Sequence, residues 1–80
     1  MDPIIYRRTV DAESRVMEEH LRDLGVGCRV RHIDNGDPLA RLEWEKLDGR
    51  VTPLLILDEN RIVRGLDRTR VDQLLGWIGC

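Results

Sequence analysis

Val51-Thr52-Pro53-Leu54-Leu55-Ile56-Leu57-Asp58-Glu59-Asn60-Arg61-Ile62-Val63-Arg64-Gly65 is the stretch that decides the fold. Leu54 to Leu57 is an unbroken apolar run, the pattern of a strand buried on both faces. It enters from a Thr-Pro step. Asp58-Glu59-Asn60 turns the chain, Arg61 to Arg64 returns it, and Gly65 ends the second strand. Two strands joined by so short a turn must be antiparallel.

Upstream, Ile4-Ile5-Tyr6 is a short apolar run between Pro3 and the pair Arg7-Arg8, and reads as a central strand. Thr9-Val10-Asp11 is a strand-to-helix loop. Asp11 suits a helix N-cap, and Glu13 favours the positive end of the helix dipole. From Ala12 to Leu24, the residues Val16, Met17, His20, Leu21 and Leu24 share one face at helical spacing. Gly25 fits a left-handed cap. Cys28 to Ile33 reads as a second strand, whose alternating charges place it at a sheet edge. Asn35-Gly36-Asp37-Pro38 breaks the chain. A shorter helix spans Leu39 to Leu47, with Leu39, Leu42, Trp44 or Glu43, and Leu47 marking its faces. Downstream of Gly65, Asp67 caps a last helix carrying Val71, Leu74, Leu75 and Ile78.

The order is strand, helix, strand, helix, strand, strand, helix. The first two strands, joined by a helical crossover, should be parallel and right-handed. A four-stranded mixed sheet with helices on both faces satisfies this and the hairpin together. Eighty residues form one domain, 1–80.

With no Phe and 41% apolar residues, Leu, Ile and Val must fill the core. A net charge of -2, with both signs interleaved, argues against a nucleic-acid partner. No apolar run approaches the roughly 20 residues that span a bilayer. Met1-Asp2-Pro3-Ile4 lacks the basic-then-apolar pattern of a signal peptide, so a reducing cytoplasm is expected. The two cysteines, Cys28 and Cys80, have neither CxxC nor zinc-site spacing. A bridge between them is not expected in that compartment, and Cys28 reads as a small core hydrophobe. His20 and His32 have no metal-ligand partner at useful spacing. Trp44 and Trp77 read as amphipathic packing residues.

This order, with a Thr-Pro step entering the third strand and a glycine closing the fourth, resembles the glutaredoxin branch of the thioredoxin-like βαβαββα fold. Ile4-Ile5-Tyr6-Arg7-Arg8 resembles its first strand, and Leu24-Gly25-Val26 the end of its first helix. Arg50-Val51-Thr52-Pro53 is similar to its Arg-Thr-Val-Pro, and Arg64-Gly65-Leu66-Asp67 to its Gly-Gly-x-Asp. The N-terminal domain of glutathione S-transferases is similar as well. The resemblance covers nearly the whole chain and implies a cis Pro53.

It also implies a loss. Counting back from Leu24-Gly25-Val26, the family's CxxC falls on Asp11-Ala12-Glu13-Ser14, where neither cysteine is present. Disulfide exchange requires a thiolate, and Asp11 puts a carboxylate in its place. The cysteine that holds an iron–sulfur cluster in some glutaredoxins goes with it, so no cofactor is required.

The glutathione-binding surface is better kept. The resemblance places Thr52 against the cysteinyl part of glutathione, Arg8 and Arg50 near the glycyl carboxylate, and Leu66 and Asp67 at the γ-glutamyl end. Each also has an ordinary reading: the arginines as solvated charges, Asp67 as a helix cap. In some transferases a Ser, Tyr or Cys supports the glutathione sulfur. Ser14 or Thr9 would take that role here, but Asp11 opposes a second negative charge, and a helical domain to bind an electrophile is not expected.

Two classes of function follow. The first is a glutaredoxin-like protein without redox cysteines, a non-catalytic module binding glutathione, an extended peptide or a protein partner. The second is a small redox or glutathione-dependent enzyme using Ser14 or Cys28. An interaction subunit presenting the Trp44 helix is a third reading.

Overall fold

The structure is a computed structural model and describes residues 2–76. The expectations for Trp77, Ile78 and Cys80, and with Cys80 any bridge to Cys28, lie outside the described residues. The elements in order are β1 (Ile4–Arg7), α1 (Ala12–Asp23), β2 (Arg29–His32), α2 (Pro38–Lys46), β3 (Leu54–Asp58), β4 (Arg61–Arg64) and α3 (Arg68–Leu75). The four strands form one sheet in the order β2-β1-β3-β4. β1 runs parallel to β2, and β3 runs antiparallel to both β1 and β4. The charged β2 is an edge strand, and the apolar β1 and β3 are central.

Side chains alternate across the sheet. Ile5, Leu55, Leu57 and Val63 point to one face, where Met17 and Leu21 of α1 and Val71 of α3 cover them. Tyr6, Leu54 and Ile56 point to the other, where Ile33, just after β2, and Trp44 of α2 close a second cluster. The hairpin strand β3 supplies both cores, which is why its apolar run is continuous.

Each helix starts on an aspartate. The carboxylates of Asp11, Asp37 and Asp67 accept from the backbone N–H of Ser14, Ala40 and Arg70 respectively. α1 ends with Gly25 at φ +75°; the Gly25 and Val26 N–H groups donate to the carbonyls of Arg22 and Leu21. That is a Schellman cap, and it needs a residue free to adopt positive φ.

Three expectations need correction. Leu39 and Leu42 do not mark a packed face of α2; they are 64% and 51% exposed. α2 packs through Ala40 and Trp44, because a small residue beside one large ring lets the helix approach the sheet closely. α2 also begins one residue earlier than Leu39, with Pro38 in its first turn, where a missing N–H costs nothing. Cys28 precedes β2 rather than opening it, and is half-buried rather than fully buried.

Tyr6 is the chain's single tyrosine. Its hydroxyl donates to Glu43 Oε1 at 3.0 Å. Burial, then the hydrogen bond and charge of Glu43, push its pKa from 10.0 up to about 12. The folded-state pKa is raised, so the stabilisation is fully present below pH 10.0 and is lost as pH rises toward 12. Tyrosinate absorbance, followed with circular dichroism, is expected to show ionisation near pH 12 or together with unfolding. Ionisation near pH 10 with the fold intact would contradict this account.

Candidate binding groove

The strand ends place the site. β1 delivers Arg8, Thr9 and Val10 to the start of α1, outside the carboxyl end of a central strand, where α/β sheets bind ligands. The loop before β3 reaches the same place, carrying Arg50, Val51 and Thr52 into a cis Thr52–Pro53 peptide bond. Pro53 is buried beneath, and its carbonyl accepts the N–H of Gly65 at 2.8 Å. An open groove of about 440 Å³ results, lined by Arg8, Val10, Asp11, Glu13, Arg50, Val51, Thr52 and Gly65. That volume lies within the usual range for small-ligand sites.

Asp11 joins the two sides of the groove. Its Oδ2 accepts the Ser14 hydroxyl at 2.6 Å and the Thr52 hydroxyl at 2.5 Å, and its Oδ1 accepts the Ser14 N–H at 3.3 Å. Burial alone would push the Asp11 carboxyl up. The hydrogen bonds from Ser14 and Thr52 outweigh it and hold the carboxyl below its ordinary value. A carboxylate so saturated is a weak base.

Ser14 is 0% exposed, and its hydroxyl is committed to Asp11. It sits behind the aspartate rather than in the groove, where no ligand sulfur could reach it. Thr9 is committed too: its N–H and hydroxyl both donate to Asp34 Oδ1 at 2.9 Å.

The two arginines differ. Arg50 is 82% exposed along its side chain and pairs with Asp48 at 3.3 Å. Arg8 has no carboxylate partner among the described residues. Its guanidinium points to the Thr52 hydroxyl at 3.5 Å and lies 5.9 Å from the centre of the Trp44 ring. Leu66 and Asp67 stand beyond the Gly65 end of the groove. Leu66 packs on the α1/α3 core, and the Asp67 carboxylate caps α3 through Arg70 N–H at 2.9 Å.

Cys28 is at the other end of the sheet, beside the start of β1, where Arg29 N–H donates to the Pro3 carbonyl at 2.8 Å. Burial, then the charge of Glu18, push its thiol pKa up. A second groove of about 520 Å³ runs along α1 from Arg7 to Arg22. Two of its three arginines are paired with acids, Arg7 with Glu18 at 2.5 Å and Arg15 with Glu19 at 4.0 Å.

Sequence reasoning overlooked Val10 and Val51, which rim the candidate groove with 93% and 45% of their surface exposed. A β-branched apolar residue in the short polar loop before a capped helix was the available signal for Val10.

No protein-family model matches the chain, and no curated protein matches it. Solved structures do. A thioredoxin-like protein crystallised as a point mutant superposes with a TM-score of 0.84 at 21% identity, over 94% of this chain and 95% of that one. The glutaredoxin of Methanosarcina mazei Go1 gives 0.80 at 18% identity, over 94% and 78%. The glutaredoxin of Archaeoglobus fulgidus gives 0.76 at 19%, over 92% and 85%. Likeness of this kind across nearly the whole chain establishes its architecture: it has the thioredoxin-like fold in its glutaredoxin form.

Proposed function

We propose that this chain is a glutaredoxin-like binding module without dithiol chemistry, which captures glutathione or an extended peptide across Thr52–Pro53. The observation that carries the reading is the Asp11–Ser14–Thr52 network. The helix N-terminus that would stabilise a thiolate holds a carboxylate instead. That carboxylate is bonded to the opposite lip of the groove, and the only nearby hydroxyl nucleophile of α1 is buried behind it. An enzyme working through Ser14 would have to expel Asp11 first. One working through Cys28 would need another site and a thiolate that its surroundings disfavour.

Binding has better support. Neither the N–H nor the C=O of Thr52 has a backbone partner among the described residues. An extended chain can pair with both, as in strand addition. Arg8 supplies a cation for a ligand carboxylate, and Val10 and Val51 supply apolar rims.

In a glutathione-mixed-disulfide reduction assay the protein is expected to show no turnover; measurable turnover would overturn the non-catalytic reading. Titration with glutathione, and separately with an acidic extended hexapeptide, is expected to shift the amide resonances of Val51, Thr52 and Gly65. No shift with either probe would remove the binding reading.

A further inference from the structure

We infer that Trp44 is the positioning residue of this groove: its indole N–H fixes the Thr52–Pro53 loop and its ring face fixes Arg8. The inference rests on the binding reading above, but its geometry can be tested without a ligand.

Trp44 lies on α2, is 5% exposed, and belongs to the α2-side core. Core packing would account for its ring. It does not account for two polar contacts of that ring, with Val51 and with Arg8, which lead to the groove. Nε1–H donates to the Val51 carbonyl at 3.1 Å. That bond holds the residue just before Thr52, whose backbone groups have no backbone partner among the described residues. The Trp44 carbonyl accepts Leu47 N–H at 3.2 Å and Gly49 N–H at 2.9 Å, so the chain leaving α2 folds back around the indole before reaching Val51.

The Arg8 guanidinium lies 5.9 Å from the ring centre, within the distance at which an indole face attracts a cation. Arg41 lies 5.5 Å from it and belongs to α2 itself. Arg41 is engaged by Glu45 at 2.9 Å, whereas Arg8 has no acid partner among the described residues. The ring therefore stands where a counter-ion would, and leaves the charge of Arg8 available to a ligand carboxylate. A long side chain held in advance loses less rotational freedom on binding. One side chain thus aligns the two groups a peptide-like ligand would use, a backbone edge and a cation.

Three forms of the protein separate this role from packing: wild type, Trp44→Phe and Trp44→Leu, compared by NMR below their melting temperatures. In the wild type the Arg8 Nε–H resonance is expected upfield of those of the exposed Arg15 and Arg50, through the ring current of the indole. Trp44→Phe keeps an aromatic face and removes the N–H. It is expected to move the Val51 and Thr52 amides while Arg8 stays shifted. Trp44→Leu is expected to move all of them and return Arg8 to the position of the exposed arginines. A Trp44 that only packed would lower stability when replaced, and the wild-type Arg8 Nε–H would resonate with those of Arg15 and Arg50.

An unshifted wild-type Arg8, or unmoved Val51 and Thr52 amides in Trp44→Phe, would overturn the inference. If Trp44→Leu fails to fold, the wild-type Arg8 position and the Phe variant decide. A ligand arm uses S-methylglutathione, whose blocked thiol excludes disulfide formation. Its affinity is expected to fall about tenfold in Trp44→Phe, the worth of one hydrogen bond. If S-methylglutathione leaves the wild type unmoved while the ligand-free changes occur, the positioning role stands and the glutathione reading fails.

Discussion

Gly49→Ala is expected to destabilise the fold by about 3 kcal/mol, toward the upper end of the usual cost of overpacking. A Cβ at position 49 would stand 2.5 Å from Cδ2, Cε2 and the carbonyl oxygen of Trp44. None of the three can yield cheaply. The ring is packed among Tyr6, Ile33, Leu54 and Ile56, and its Nε1–H is tied to Val51. The carbonyl already receives the N–H groups of Leu47 and Gly49 itself. Relief requires either unwinding the end of α2 or lifting Trp44 from the core. For a domain of this size the loss corresponds to roughly 12–24 °C in melting temperature. Gly27→Ala is the control, because a Cβ there meets nothing within 4 Å and the residue is not among the positive-φ glycines. It should be neutral or slightly stabilising, as a stiffer unfolded chain would make it. Urea denaturation of both variants checks the pair. A Gly49→Ala protein within about 0.5 kcal/mol of wild type, the range of ordinary surface changes, would show that Trp44 is not locked as described.

The packing around position 49 also shows what the sequence could and could not disclose. Local signals were legible: the continuous run in β3, the charge alternation of the edge strand β2, the aspartates that start α1 and α3, and the glycine closing α1. Each depends on neighbours within a few residues. α2 was misread because its two best apolar residues, Leu39 and Leu42, face away from the sheet, while Ala40 does the packing. A short helix with one small contact residue carries little periodic signal. The groove was legible only as positions. Arg8, Arg50 and Thr52 do converge, but the different states of the two arginines depend on Trp44 and Asp48. The bond from Asp11 to Thr52 spans the chain from α1 to the hairpin. Nothing near Ser14 marks it as buried, since a serine in a helix's first turn ordinarily faces water.

Asp11→Ala is expected to cost a comparable amount, about 3 kcal/mol, for a different reason. It deletes the N-cap of α1, worth about 1 kcal/mol. It also strands the Ser14 hydroxyl, which is 0% exposed and has Asp11 as its acceptor. An unsatisfied buried hydroxyl costs roughly 1–3 kcal/mol. Thr52 is partly exposed and can donate to water instead, so its share is smaller. Removing both partners of a buried hydrogen bond costs less than removing one. Ser14→Ala added to Asp11→Ala should therefore recover part of the loss, and the double-mutant cycle should show a coupling of about 1 kcal/mol or more. Strict additivity within about 0.5 kcal/mol would mean that the pair is not coupled. The pH dependence gives an independent reading of the same bonds. The folded-state pKa of Asp11 is lowered from 3.8, so its contribution is fully present above that value and is lost as pH falls through the folded pKa. Asp11→Asn cannot titrate. Its stability should fall less steeply than that of wild type below about pH 4, where carboxylates take up protons. If both proteins lose stability in parallel on acidification, the hydroxyls of Ser14 and Thr52 do not hold the Asp11 charge, and the carboxylate does not bridge the two sides of the groove.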